Sequence, residues 1–447
     1  MWFDYSGWKD RACVKAASNA WRDSRSEKVA DPLASVEGKL VAAILNRIRS
    51  RRRRPSASPD DPHADSAAAV GPAKLREAIF SDFEAVHALK QRWGLIPDSF
   101  GNWTRLWRDN PALKHCPQAL PIGWVLEADG RVVGYLGNIA SVYHFGGKKL
   151  LAVTGHGLVV EPAHRMLSFT LNAAFYRQPF VDLYLTTTAI EAVGRIAKAF
   201  RSSPLPQLDY EVLFWVLRSQ PFAQEVIAKL QLGPGVSRLA GALATLAVGT
   251  DKVLRRRWPR RRESSLTVRQ ISVAEIGDDF QTLWEAKLHE APRLLADRSP
   301  GTLRWHCQTP DDKGSTALFC CYSGEELLGY IVVRSDPVQT RGVRRSMVAD
   351  MIAKNDDPAT LNALCAAAHQ HGKRIGSHIL EILGFPPSIR AVCSQSDPFL
   401  RKYPSCPFYY KTANPSLHEA LTEPSLWYAS PFDGDTTLMP LLGRTNE

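Results

Sequence analysis

The sequence predicts an α/β (α+β) chain made of two consecutive, similar units, each a mixed, mostly antiparallel sheet flanked by helices. Three observations carry this reading. The apolar runs Ile122–Ala128 and Arg131–Ile139 are joined by Asp129-Gly130, the dipeptide that suits a tight hairpin turn. Leu150–Ala189 then reads strand, helix, strand. The plan recurs later, where Ala317–Tyr322 and Leu327–Arg334 flank a second turn, and Leu328-Gly329-Tyr330 repeats the place of Val133-Gly134-Tyr135.

A chain of 447 residues has room for two or three domains of roughly 100–200 residues each. With 45% hydrophobic and 9% aromatic residues, global disorder is excluded. The net charge of +11 points to an anionic partner. The eight cysteines are scattered with no C-x-x-C spacing, which argues against a zinc site or redox pair and fits a reducing cytoplasm. Cys320-Cys321 lies in an apolar run and reads as two buried thiols.

Four regions follow from the composition: 1–72, 73–218, 219–264 and 265–447. In the first, Trp2, Phe3, Tyr5, Trp8 and Trp21 stand without the apolar core of a signal peptide. Val36, Leu40, Ile44 and Ile48 have helical spacing and run into Arg49–Arg54. The run reads as a solvated basic arm, and its aromatic company also suits peripheral contact with an anionic membrane. The Pro- and Ser-rich stretch 56–72 is a linker.

In region 73–218, Arg76–Phe80 reads as a strand. A helix runs from Ser81 to Arg92, with Ser81 and Glu84 spaced as a capping box. Phe100–Asn110 is a short helix carrying Trp103, Leu106 and Trp107, and the hairpin follows. Lys148–Val160 is a strand stopped at Glu161-Pro162, because proline has no N–H to give a continuing ladder. Met166–Gln178 places Leu167, Leu171, Ala174 and Phe175 on one helical face, Val181–Ala189 is the next strand, and Tyr210–Leu217 adds a further strand to this unit.

Region 219–264 contains the apolar run Leu239–Val248, ten residues against the roughly 20 needed to span a bilayer, followed by the basic run Arg255–Arg262. It reads as a helix packed on the domains plus a basic linker, with a membrane-surface contact as the alternative. No aromatic-interleaved module surrounds it, which argues against nucleic acid. In region 265–447 the elements are Leu266–Ile271, Ala274–Ala286, Pro300–His306, the second hairpin, Arg345–Ala353, Pro358–His371 and Gly376–Ile382. The tail Trp427–Asp435 reads as a turn-rich lid, with Asp433 and Asp435 facing an acceptor or simply forming a turn.

Val160-Glu161-Pro162-Ala163-His164-Arg165, and then Ala189-Ile190-Glu191 leading to Gly194-Arg195, resemble the coenzyme A-binding core of the GNAT superfamily of acyltransferases. The order of elements over 73–218 matches that fold, and the recurrence resembles tandem bacterial acyltransferases and Fem-type peptidyl transferases. The resemblance implies an N-acetyltransferase-like enzyme that uses acetyl-CoA or another acyl-CoA as co-substrate, needs no metal, and acylates the amine of a small molecule or amino-sugar. It places the donor against Leu158, Val159 and Val160, against His164, Arg165, Ser168, Phe169 and Thr170 in the turn, and against Thr188 and Glu191. The chain departs from the family's pattern. Ser168 and Thr170 replace the small residues of the phosphate turn, Ile190 replaces an asparagine, and Ala197 stands where the family's acidic tyrosine would be. The second unit has Ile352–Pro358 in place of the turn, and Asp356 and Asp357 there would repel a pyrophosphate.

Acyl transfer to an amine needs a base, a polarised carbonyl and an acid for the thiolate. His156 lies between Gly155 and Gly157, where a bulge can turn its imidazole into the cleft, and Glu161 ends the strand. Tyr184 and Tyr176 are substitutes for the missing acid, and Thr186–Thr188 offer hydroxyls to a pantetheine arm. Three functions stay open: an acyl-CoA-dependent N-acyltransferase, which is favoured; a Fem-like transferase using aminoacyl-tRNA; and a non-catalytic scaffold at a membrane surface.

Overall fold

The computed structural model describes residues 72–207, 211–228, 234–259, 265–310, 314–337, 342–402 and 408–439. The aromatic and basic arm, with its expected helix Val36–Ile48, lies outside the described residues, and so does the end of the Arg255–Arg262 run.

The first half begins with β1 (Lys74–Glu77), α1 (Phe83–Arg92), α2 (Phe100–Trp107), β2 (Gly123–Ala128), β3 (Arg131–Phe145) and β4 (Lys148–Val160). It continues with α3 (Ser168–Phe175), β5 (Leu183–Thr186), α4 (Glu191–Ala199), β6 (Ser203–Pro204) and β7 (Glu211–Val216). A hairpin of α5 (Ser219–Ala228) and α6 (Pro234–Leu254) leads to the second half. That half opens with β8 (Leu266–Ile271), α7 (Asp278–Glu290), β9 (Leu295–Ala296), α8 (Pro300–Cys307), β10 (Thr316–Ser323), β11 (Glu326–Ser335) and β12 (Arg345–Ala353). It ends with α9 (Pro358–Ile375), β13 (Ile379–Leu383), α10 (Pro387–Ser394), β14 (Phe399–Lys402), β15 (Tyr409–Lys411) and α11 (Pro415–Ala420).

Two mixed sheets result. In the first the order is β1-β2-β3-β4-β5-β15-β6, with β9 added beside β3; in the second it is β14-β7-β13-β12-β11-β10-β8. Neighbours are antiparallel except β4 with β5 and β12 with β13, which are parallel. This is the duplicated arrangement of two mixed, mostly antiparallel sheets that the sequence predicts, with one rearrangement. Each half gives its last strand to the other sheet: β7 lies between β13 and β14, and β15 lies between β5 and β6. The expectation that Tyr210–Leu217 completes the first unit is therefore corrected. Val212, Leu213, Trp215 and Val216 are all buried, so β7 is apolar on both faces and suits any central position.

Alternation along β3 and β4, reset by a bulge in each strand, explains the packing of the first sheet. Tyr135, Ile139 and Val159 face Leu89, Trp103 and Leu106 of α1 and α2, whereas Val133, Leu136 and Val153 face Leu171 and Phe175 of α3. Each such full burial is worth about 1.5–3 kcal/mol over leaving the side chain exposed. In the second half, Asp357 caps α9 by accepting from the Thr360 amide at 2.7 Å, and Gly376, at φ 86°, ends it in the left-handed conformation glycine permits.

Several local expectations change. The chain enters α1 through a short 3-10 turn, Phe80–Asp82, and Asp82 rather than Ser81 accepts there, from the Ile79 amide. The helix expected over Met166–Gln178 is a 3-10 turn, Pro162–Leu167, followed by α3. The tail expected to form a turn-rich lid is packed inside the molecule, with residues 427–438 buried throughout. Cys320 and Cys321 are buried thiols as expected.

Candidate active site

β4 and β5 run side by side only over Ala152–Thr154 and Leu183–Leu185, and then they splay apart. The cause is visible in the register of β4 on β3. His156 lies opposite Gly137 and Val159 opposite Tyr135, so Gly157 and Leu158 together oppose one residue. This is a β-bulge, with Gly157 at φ +62°. Any Cβ there would also come within 2.7 Å of Lys90 Nζ, so only glycine fits without displacing that lysine. Beyond the bulge, alternate backbone groups of β4 face away from β3 and have no β5 ladder to join.

The bulge holds His156 at the apex of the splay, 2% exposed and against the Trp107 ring. Its Nε2 is 3.2 Å from Asp98 Oδ2, and its Nδ1 is 3.3 Å from Asp435 Oδ2. Asp98 also accepts from Lys90 Nζ at 2.6 Å and from Asn102 Nδ2 at 2.7 Å. Asp435 accepts from Thr187 at 2.8 Å and Thr188 at 3.2 Å, and its own amide donates to Thr187 Oγ1. The result is one buried chain, Lys90–Asp98–His156–Asp435–Thr187/Thr188, that crosses from α1 through β4 to the end of β5. Burial alone would lower the His156 pKa. The Asp98 charge and the hydrogen bonds to Asp435 and Asp98 outweigh burial and Lys90 repulsion, and raise it above the ordinary value. When protonated, both ring nitrogens donate to the two carboxylates. Burial likewise works against the Asp98 anion, but the Lys90 and His156 charges hold its pKa far below the usual carboxylate range.

Asp435 arrives on the tail, which is threaded between the two halves. The Leu438 carbonyl accepts from Asn102 and Arg105, the Thr436 and Met439 carbonyls accept from Arg334, and the Tyr143 hydroxyl donates to the Asp433 carbonyl. His306 is half-buried near Arg105, Arg298 and Arg334, and desolvation with these three charges holds its pKa well below the usual value. Neutral, it pairs through Nδ1 with the Thr437 hydroxyl at 3.2 Å. Gly434 presses on Thr187 so closely that a Cβ there would overlap the threonine side chain. Beside the tail lies a shallow pocket whose empty volume of about 450 Å³ includes open solvent, lined among others by Asn110, Ser141, Thr154, Asp297, His306 and Phe432. Thr154 reaches it two residues before His156 on the same strand, and so from the same sheet face.

The other expected residues scatter. Glu161 is gripped by Arg92 at 2.6 Å and by Arg131 at 2.6 and 3.0 Å, so its oxygens serve an ion-pair cluster rather than the splay. Tyr184 packs on Phe175 and Tyr176, on the sheet face opposite His156. Its hydroxyl donates to the Gln178 carbonyl, and burial pushes its pKa up to about 12. Tyr176 is likewise buried and accepts from Ser202. Among the expected donor contacts, Val159 is buried beneath α1 and α2, and Leu158 and Val160 are half-buried on the α3 side. Thr188 is committed to Asp435, and Glu191 pairs with Arg195 in solvent.

The turn itself differs from a glycine-rich cradle. The Ser168 amide already donates to the Arg165 carbonyl and the His164 amide to the Glu161 carbonyl, so the 3-10 turn consumes donors that a phosphate would use. Side chains offer more. His164 is buried with neither ring nitrogen hydrogen-bonded, Arg165 and Thr170 are exposed, and Ser168 is half-exposed. Met166 and Phe169, 80% and 45% exposed, add an apolar rim. The residues present fit an anion through these side chains, not through a backbone nest.

Asp98 and Lys90 escaped the sequence reading. Their one local signal is Asp98-Ser99 ahead of α2, where Ser99 is the N-cap. Asp435 was singled out only as a residue of the tail, because nothing in its neighbourhood ties it to a histidine 279 positions away.

The second half repeats this geometry with different residues. β12 and β13 part after Val348 and Ile382, and two residues on, in the place of His156, stands Asp350. Arg298 donates to both Asp350 oxygens at 3.0 and 3.1 Å and to Asp433 at 3.2 Å, while Tyr330 and Ser430 also donate to Asp350. Asp356 and Asp357 at the expected turn are spent on Lys287 with Arg293 and on the α9 cap.

No protein-family model and no curated protein sequence matches this chain. Among solved structures, it is similar to a GCN5-related N-acetyltransferase from Anabaena variabilis, with 12% identity, a TM-score of 0.48, and coverage of 77% of this chain and 73% of that one. A probable N-acyltransferase from Enterococcus faecalis gives 10% identity and a TM-score of 0.49, covering 76% and 73%. Saccharomyces cerevisiae N-myristoyltransferase with bound myristoyl-CoA gives 11% identity and a TM-score of 0.48, covering 80% and 84%. The duplicated strand order described above stands on its own register and not on these likenesses.

Proposed function

We propose that this chain is an N-acyltransferase whose reacting centre is the first splay, with an acyl-CoA as donor and an amine as acceptor. The observation that carries the reading is the carboxylate–imidazole–carboxylate chain at the point where β4 leaves β5. The donor's pantetheine arm lies between the parted strands, and His164 and Arg165 contact its phosphates. The acceptor occupies the pocket beside Thr154. When the amine nitrogen attacks the thioester carbonyl, a C–N bond forms and the C–S bond breaks. Asp435 takes the amine proton, and the His156 imidazolium gives one to the departing sulfur. Entry of the donor requires the tail around Gly434 to draw back from Thr187.

The acceptor class is a small amine or amino-sugar. No helix among the described residues is long and apolar enough to cross a membrane. One observation favours the scaffold reading instead: both ring nitrogens of His156 are already bonded, and the tail fills the splay.

The test is thiol release from acetyl-CoA and myristoyl-CoA with a panel of amines. Wild type should turn over, and His156→Gln and Asp435→Asn should each lose about 100-fold or more, the usual scale for a proton-transfer group. Glu191→Ala should match wild type. Equal turnover in the folded His156→Gln variant would remove His156 from the chemistry. Absence of any acyl-CoA binding by wild type would leave the scaffold reading.

A further inference from the structure

Helix α6 is assembled inside out. Its solvent face carries Leu239, Leu243, Leu246, Val253 and Leu254, which are 65%, 46%, 66%, 64% and 76% exposed. Steps of four, three and seven residues put Leu239, Leu243, Leu246 and Val253 on one stripe of a 21-residue helix. The face turned inward carries small residues, with Gly241 resting on Gln224 of α5. The helix is fixed in that orientation, because Lys252 donates to the Leu217 carbonyl and Arg257 to the Asp397 carbonyl. A continuous exposed apolar stripe of this kind marks a surface that is covered in use.

Charge identifies what covers it. The stripe is bracketed by exposed cations, Arg238 near its start and Arg255 and Arg256 just past its end. In sequence Arg260, Arg261 and Arg262 follow. The one acidic residue of α6, Asp251, is tied to Arg257 at 2.6 Å and Arg255 at 3.1 Å, so no free anion faces outward with the leucines. A second copy packed on the stripe would set arginine against arginine in either direction. A partner that is apolar at depth and anionic at its surface satisfies both halves of the pattern.

We infer that α6 docks flat on an anionic lipid bilayer, leucines in the acyl boundary and arginines at the headgroups. The helix lies on the surface and does not span it. This inference stands apart from the acyl-transfer reading and survives its failure.

The experiment is sedimentation of the full chain with vesicles of phosphatidylcholine alone, and of phosphatidylcholine mixed with phosphatidylglycerol. Wild type should partition to the anionic vesicles and not to the neutral ones, with affinity falling as salt rises. Leu243→Asp combined with Leu246→Asp should weaken partitioning about 100-fold or more. Arg238→Glu combined with Arg256→Glu should weaken it about 30-fold or more. All four positions are exposed, so thermal unfolding midpoints should stay at the wild-type value. A wild type that ignores anionic vesicles overturns the inference. So does an unaltered Leu243/Leu246 double variant, or a wild-type dimer in equilibrium sedimentation that this variant dissolves. Loss of binding on changing Arg51, Arg52, Arg53 and Arg54 to glutamine, with the α6 variants neutral, would assign the membrane to the arm and overturn it too.

Discussion

The two splays occupy equivalent places and are closed by the same tail, yet they differ in chemistry. At the first, Asp435, which accepts from two threonine hydroxyls, meets an imidazole that a second carboxylate flanks. At the second, Asp433 meets a guanidinium that already clamps Asp350. A guanidinium keeps its proton at any working pH, whereas an imidazole exchanges one near neutrality. One half therefore retains a group that can give and take protons, and the other has turned the same position into a lock.

The largest effect should come from breaking the lock. Arg298→Met would leave Asp350 and Asp433 facing one another without a counter-charge, and burial already raises the Asp433 pKa with Asp350 adding to it. A loss of about 3–5 kcal/mol in urea unfolding is expected. A loss below about 1 kcal/mol would mean that the second splay is not held by charge.

A smaller effect should separate the splays by pH. The His156 pKa is raised in the folded state, so its contribution is full below the unfolded value of about 6.5 and is lost as pH rises through the higher folded value. The depressed Asp98 works in the opposite window, contributing above about pH 4 and losing that contribution as pH falls. Above about pH 6.5, unfolding midpoints should thus show a decline that His156→Gln flattens and Arg298→Met keeps, whereas below it the depressed His306 makes stability rise with pH. The groups facing the imidazole are Lys90, Asp98 and Asp435, so an unchanged slope in His156→Gln would mean that the histidine does not titrate with folding.

The smallest effect probes the bulges. Gly157→Ala forces a side chain into positive φ and against Lys90, and should cost about 1–2 kcal/mol in the same unfolding assay. At the second bulge the extra residue is already Ala349, where a methyl group fits. A neutral Gly157→Ala would show that the Lys90–Asp98–His156 chain has slack.

Much of the architecture was legible because it is local. The Asp129-Gly130 hairpin, the strand Arg345–Ala353 and the recurrence of the plan follow from alternation and turn chemistry, and the bulge around His156 follows from its two flanking glycines. The exchange of β7 and β15 was not legible, since a strand apolar on both faces carries no mark of which sheet it joins. Glu161 looked well placed along the strand, but Arg131, 30 positions earlier, and Arg92, 69 positions earlier, claim it. The solvent face of α6 was hidden for a related reason: an apolar run in sequence reads as buried until the small residues beneath it are seen to take that role.

The exchange of last strands has a consequence for how the chain is made. β5 ends at Thr186, and its neighbour β15 does not begin until Tyr409. At roughly 5–20 residues per second, a growing chain carries an open β5 edge for about 10–40 s before the strand that covers it exists. During that interval it is a template for any strand within reach. Two polypeptides emerging side by side hold out to each other the very strands each is waiting for, and an exchange made between them intertwines both. Correctly closed chains should therefore be the product of sparse, unhurried synthesis, and crowded synthesis should yield linked pairs.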